Sequence, residues 1–330
     1  MYARRIRAVA CALGAMLASG AGSVAAQVAP AYPARPVTLV VGFPAGSAID
    51  TSARVMAQRL AEALNQQFVV VNRDGAAATL AATAVARAKP DGHTLLWGSS
   101  SPLASTPAIN RSLPYDPRRD FAPVSIYFYI PYVIVIHPSV PAHDVATLVA
   151  LARAKPGRLN YGSTGVGGSL HFAVELILEM TGTQMTHVPY RGTTAMTVDL
   201  LAGQIDLMTS GPATVMPHLQ NGRLRAIAVT TRQRIAQLPQ VPTVEEGGLA
   251  GYEMAGWTGL LAPAATPADI VDELYRPFVR ALAHPAVKAN LATEGALVGG
   301  NTPAEFTAFI RREIDKYTKL AKQARIAPEP

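Results

Sequence analysis

The stretch Val37-Thr38-Leu39-Val40-Val41-Gly42-Phe43-Pro44-Ala45-Gly46-Ser47-Ala48-Ile49-Asp50 decides the fold class. Five strand-forming residues run into a turn of small residues and proline, after which Ala53, Met56, Ala57, Leu60 and Leu64 recur at helical spacing. A strand that turns directly into an amphipathic helix opens a βα unit. The passage recurs at Asn160-Tyr161-Gly162-Ser163-Thr164-Gly165-Val166-Gly167-Gly168-Ser169-Leu170-His171, followed by Ala173, Val174, Ile177 and Leu178 on one helix face. Further β-branched runs at 68–71, 94–97, 133–136, 205–208 and 226–230 complete an α/β pattern.

Working outward, the segment 113–123 carries three prolines and a cluster of charges, and 127–136 then reads as one long extended strand. This marks a crossing between lobes. A second crossing is expected at 252–262, an apolar, glycine-punctuated strand that ends in Pro263-Ala264-Ala265-Thr266-Pro267. Beyond it the chain is helical, with Phe306, Phe309, Ile310, Ile314 and Tyr317 on one face. Two crossings give a discontinuous first lobe of 33–133 plus 257–330 and a second lobe of 134–256. An apolar share of 49% over 330 residues is ample for two cores.

Arg4, Arg5 and Arg7 precede an apolar run and then Ser23-Val24-Ala25-Ala26, the pattern of a secretory signal peptide over 1–26. Cys11, the single cysteine, falls in that leader, so the exported chain is expected to have no disulfide or thiolate metal site. With the leader arginines removed, the balance of 29 basic and 22 acidic residues falls to about +4. The bases are dispersed and not interleaved with aromatics, which argues against a nucleic-acid groove, while a modest positive field suits small anions. No later apolar run approaches the roughly 18 residues of a membrane span.

The signatures of phosphate loops, nucleophile elbows, zinc helices and dinucleotide folds are all missing. Seven histidines are scattered without metal-ligand spacing, so no catalytic residue, metal or cofactor is expected. What stands out is the pair of strand-turn-helix junctions. Small residues let a backbone approach a ligand, and the first amides of the following helix carry partial positive charge, so each junction can hold an anionic oxygen without a cationic side chain. Each turn alone is equally a tight connection with Asp50 or Ser169 as an N-cap; one in each lobe points to facing walls of a cleft. Ser99, Ser100 and Ser101, after the strand at 94–97, form a candidate third wall, and Arg191 sits beside the second glycine-rich stretch.

These residues resemble the Bug family, the extracytoplasmic solute receptors of tripartite tricarboxylate transporters. The resemblance runs from about Tyr32 to Leu320 and is carried by Tyr32-Pro33-Ala34-Arg35-Pro36-Val37, the first junction, Lys89-Pro90-Asp91-Gly92-His93-Thr94-Leu95-Leu96, Tyr161-Gly162-Ser163-Thr164-Gly165, His187-Val188-Pro189-Tyr190-Arg191-Gly192, Leu200-Leu201-Ala202-Gly203-Gln204-Ile205-Asp206-Leu207-Met208 and Leu238-Pro239-Gln240-Val241-Pro242-Thr243. It implies a two-lobed periplasmic binding protein of type II, the Venus flytrap, with two crossing strands. It also implies a carboxylate held through backbone groups and waters by Phe43, Gly46, Ser47, Ala48 and Asp50 of one lobe and Ser163, Thr164, Gly168, Ser169 and His171 of the other, with Asp206 in a further matching block. The chain departs from the family pattern at Ala45 and Ser47, at Asn72-Arg73-Asp74-Gly75-Ala76-Ala77-Ala78-Thr79, and at Thr209-Ser210-Gly211.

The expectation is therefore a monomeric, periplasmic, non-enzymatic receptor. It would capture a small carboxylate solute and deliver it to the membrane permease subunits of a tripartite transporter. A sensor presenting its closed form to a two-component sensor kinase is the alternative, and a secreted hydrolase, which needs a nucleophile with a base in reach, is a more distant one.

Overall fold

The computed structural model describes residues 32–190, 192–324 and 326. The opening junction folds as its periodicity demands: β1 (Val37–Val41) passes into α1 (Ala48–Leu64), whose Ala53, Met56, Ala57 and Leu60 are buried. β2 (Phe68–Asn72), α2 (Thr79–Ala86) and β3 (Thr94–Ser99) follow, with β2 and β3 parallel to β1 on either side. β3 runs on through a π turn at Ser101–Ser105 into the single turn of α3 (Thr106–Ile109).

β4 (Phe121–Pro131) belongs to this first sheet, but β5 (Val133–Ile136) belongs to a second. The long strand read from sequence is therefore two strands that meet at Tyr132. Pro131 has no amide to donate, and the Tyr132 amide turns to Thr230 Oγ1 at 2.9 Å, which ends one ladder and begins the next. β4 also starts six residues before the expected strand. Pro123 is tolerated there because it sits beside a register shift opposite Leu260 and Leu261.

The second sheet is built from β5, α4 (Val145–Ala154), β6 (Asn160–Ser163), α5 (Ser169–Thr181), β7 (Thr186–Pro189), α6 (Thr193–Leu201), β8 (Leu207–Ser210), α7 (Pro212–Gln220) and β9 (Arg225–Val229), with strand order β7-β6-β8-β5-β9. The chain then returns. β10 (Ala255–Pro263) inserts antiparallel between β3 and β4, pairing Thr258 with Ser99 and Gly256 with Ile130. α8 (Ala268–Leu282), α9 (Pro285–Glu294), β11 (Leu297–Val298) and α10 (Pro303–Gln323) complete the first sheet and its cover, in the order β11-β4-β10-β3-β1-β2.

The first sheet has an aromatic core, in which Trp97 packs 5.1 Å from Tyr127 and 6.1 Å from Phe278, and its indole N–H donates to Ser52 Oγ at 3.0 Å. Satisfying that donor lets a buried Trp contribute its large apolar area without an orphaned polar group. α10 starts with a capping box between Thr302 and Glu305 and buries Phe306, Ile310, Ile314 and Tyr317. Tyr317 stands edge-on to Phe172 of α5 at 5.0 Å, so the last helix touches the second lobe as well as the first sheet.

Candidate ligand-binding cleft

The carboxyl ends of β1 and β3 in one lobe and β6 in the other converge on a cleft of about 340 Å³. Phe43 and Ser99 to Ser101 form one wall, the loop from Thr164 to Ser169 forms the other, and Ile130, Tyr132 and Gly256 to Thr258 form the floor where the chain crosses. Among the described residues the lining is glycine, hydroxyl and apolar groups, with no charged side chain. Ser99 Oγ is buried in this wall, and no described residue bonds to it.

The first-lobe turn is closed on itself. Ser47 caps α1 by accepting the Asp50 amide at 3.2 Å, and the Asp50 carboxylate, only 2% exposed, accepts Gly46 N–H, Arg54 Nε–H and Asn72 Nδ2–H at 2.8, 2.9 and 2.8 Å. Burial pushes this carboxyl up, but the bonds from Arg54, Asn72 and Gly46 outweigh it and hold it down at about 2. Asn72 also donates to Phe43 O at 2.9 Å, fixing the residue that faces the cleft. Gly46, Ser47, Ala48 and Asp50 build the turn and do not line the cleft, whereas Phe43 and Ile49 do.

The second-lobe turn is open. Gly168 is the N-cap of α5 in extended conformation and no side chain caps the helix, which leaves its first amides to whatever enters the cleft. Thr164, Gly168 and Ser169 line the cleft. Ser163 lies behind it, fully buried, bonded to Gly165 N, Gly165 O and His187 Nε2 at 3.2, 3.0 and 2.7 Å. His171 also stands behind the loop, its Nδ1 accepting the Gly167 amide at 3.0 Å. Asp206 precedes β8 at the end opposite the cleft, where it accepts the Asn160 amide at 2.7 Å. Arg191 lies outside the described residues, as do the leader at 1–26 and Cys11.

Of the residues singled out from sequence, the fold thus brings Phe43, Ser99, Ser100, Thr164, Gly168 and Ser169 together around one space. Sequence reasoning missed Ile109, Tyr132 and Thr258, which arrive from distant parts of the chain. It also missed the backbone of the departing loop: Ala76, Ala77 and Ala78 have φ of 46°, 53° and 70°, a left-handed run that costs roughly 1–2 kcal/mol per residue with a Cβ. Ala77 faces the cleft, and Ala78 packs on Gly42 so closely that a Cβ there would come 2.4 Å from its own.

A family model described as the tripartite tricarboxylate transporter family receptor matches residues 52–326. Protein BugT of Bordetella pertussis is 34% identical over 92% of this chain and 93% of its own length. Among solved structures, an R. palustris protein with adipate is 37% identical, with a TM-score of 0.77 over 90% of this chain and 100% of the other. MatC from Rhodopseudomonas palustris, with bound malate, is 32% identical, with a TM-score of 0.72 over 88% and 99%.

Proposed function

Since the chain belongs to the tripartite tricarboxylate transporter receptor family, we propose that it works in the periplasm as a solute receptor, capturing a small carboxylate between its lobes and presenting it to membrane permease subunits. The observation that carries this reading is the contrast between the two turns. Asp50 already fills the first, whereas α5 begins at an uncapped glycine facing an uncharged cleft. A carboxylate placed there receives hydrogen bonds from the amides and the favourable end of the helix dipole. The hydroxyls of Ser99 and Ser100 on the opposite wall and of Thr258 on the floor offer donors and acceptors to the rest of the solute, and Phe43 and Ile109 offer apolar contact. Among the described residues no helix is long and apolar enough to cross a membrane.

A cleft of this size holds a compact acid, and adipate and malate, carried by the similar structures, are the first candidates. Thermal-shift screening should show stabilisation by free acids and none by their methyl esters, because only the ionised group uses the α5 amides. Equal stabilisation by an ester would overturn the reading. Native mass spectrometry of freshly purified protein should identify a retained acid directly.

A further inference from the structure

Behind the second-lobe loop lies a buried polar cluster that the binding of a solute does not itself require. His171 of α5, 4% exposed, stacks on His187 of β7 with ring centroids 3.9 Å apart. His171 Nδ1 accepts the Gly167 amide at 3.0 Å, and its Nε2 lies 3.5 Å from a Glu175 oxygen that also accepts the Tyr161 hydroxyl. An amide N–H can be received only by an unprotonated nitrogen, so the single ring proton sits on Nε2 and the ring is neutral. His187 Nε2 approaches Ser163 Oγ at 2.7 Å. That hydroxyl also lies 3.0 Å from Gly165 O and accepts Gly165 N–H at 3.2 Å. The two rings therefore hold two of the loop's three glycine amides, that of Gly167 directly and that of Gly165 through Ser163.

The loop they hold sets the cleft wall. Gly167 has φ of +72°, and a Cβ there would lie 1.9 Å from Ile109 Cδ1, so at this point the second lobe meets the first.

We propose that His171 is a positioning residue that keeps the loop from Gly165 to Gly168 in its cleft-lining form only while its imidazole is neutral, so that mild acid loosens the loop. A protonated ring has a donor at both nitrogens and cannot accept the Gly167 amide in any orientation. Among the described residues, the titratable groups facing it are Glu175 one helical turn on, Tyr161 from β6 and His187 from β7. Burial and the neighbouring His171 push His187 down to about 4, so His187 stays neutral while the loop responds. The consequence for affinity rests on the receptor reading; the clamp itself does not.

The test is amide hydrogen exchange of peptides spanning 163–170 in the ligand-free exported chain, corrected for intrinsic rates, at about pH 7.5 and about pH 5. Protection should fall by about tenfold or more on acidification. His171→Asn, whose Oδ1 takes the place of Nδ1 and does not titrate, should keep its protection at both pH values. His171→Leu, which offers the Gly167 amide no acceptor, should lack this protection at both pH values, which gives a second readout if the first variant folds poorly. Unchanged protection in the wild type, or a His171→Asn profile that follows the wild type, overturns the proposal. Failure to bind any acid overturns the receptor reading instead, and is measured separately by calorimetry with adipate and malate.

Discussion

The hydroxyl of Tyr132, the residue at which the chain crosses between sheets, lies 2.7 Å from the hydroxyl of Ser169, the first residue of α5. The crossing and the open helix end are thereby tied by one bond. Gly256 of the returning strand makes room for it, since a Cβ there would come 2.6 Å from the Tyr132 oxygen.

This predicts a specific coupling. Tyr132→Phe should cost about 1 kcal/mol in urea unfolding, the usual worth of one hydrogen bond whose partner can still reach the cleft. Gly256→Ala should cost more, about 1–3 kcal/mol, because the methyl must displace a buried ring. In the double variant the offending oxygen is gone, so the two costs should fall short of their sum; strict additivity would mean that the ring yields elsewhere.

The left-handed alanines make a second prediction. Ala77→Gly removes a strained Cβ at φ of 53°, and against the entropy that glycine adds to the unfolded chain it should still raise stability by about 0.5–1 kcal/mol. Gly42→Ala should do the opposite, because its methyl meets Ala78. Melting curves of the two variants should move in opposite directions.

Local composition explains how much of this could be read in advance. Both junctions, at 42–50 and 160–171, were legible because glycine, serine and a following helical period are neighbours in sequence. The α/β class followed from the alternation of such units, and the two lobes from the chain length and the two expected crossings. Tyr132 and Thr258 were not legible, because the break between β4 and β5 places the one, and the pairing of β10 with β3 and β4 the other, on the cleft floor. Nor was the asymmetry of the turns. Both look alike as strings, and only the bonds of Asp50 to Gly46, Arg54 and Asn72 show that one is filled from within. His171 is a similar case, since sequence places it beside the loop but not on which side.

Asp50 carries a pH prediction. Its carboxyl is held at about 2 in the folded chain, below the roughly 3.9 of an unfolded aspartate, so its contribution is present above about pH 4 and is lost as pH falls toward 2. The shift corresponds to on the order of 2 kcal/mol. Asp50→Asn should lower neutral-pH stability by about that amount and flatten the acid limb of the stability curve between about pH 4 and 2. An unchanged acid limb would mean that other carboxylates dominate it.

The last prediction separates fold from binding by crossing two variants. Ser47 caps α1 through the Asp50 amide but does not line the cleft, so Ser47→Ala should cost about 1 kcal/mol in denaturation and leave affinity for the retained acid nearly unchanged. Gly168 has the opposite character. Its backbone, at φ of −73° and ψ of 160°, suits a branched residue, and a Cβ there meets nothing nearer than Gly165 O at 3.5 Å. Gly168→Val should therefore fold normally while its methyls stand over the uncapped amides of α5. Calorimetric affinity should fall by about tenfold or more, with denaturation midpoints within experimental error of the wild type. If instead Ser47→Ala weakens binding and Gly168→Val does not, the acid is held by the first-lobe turn, and the assignment of the anion to α5 is wrong.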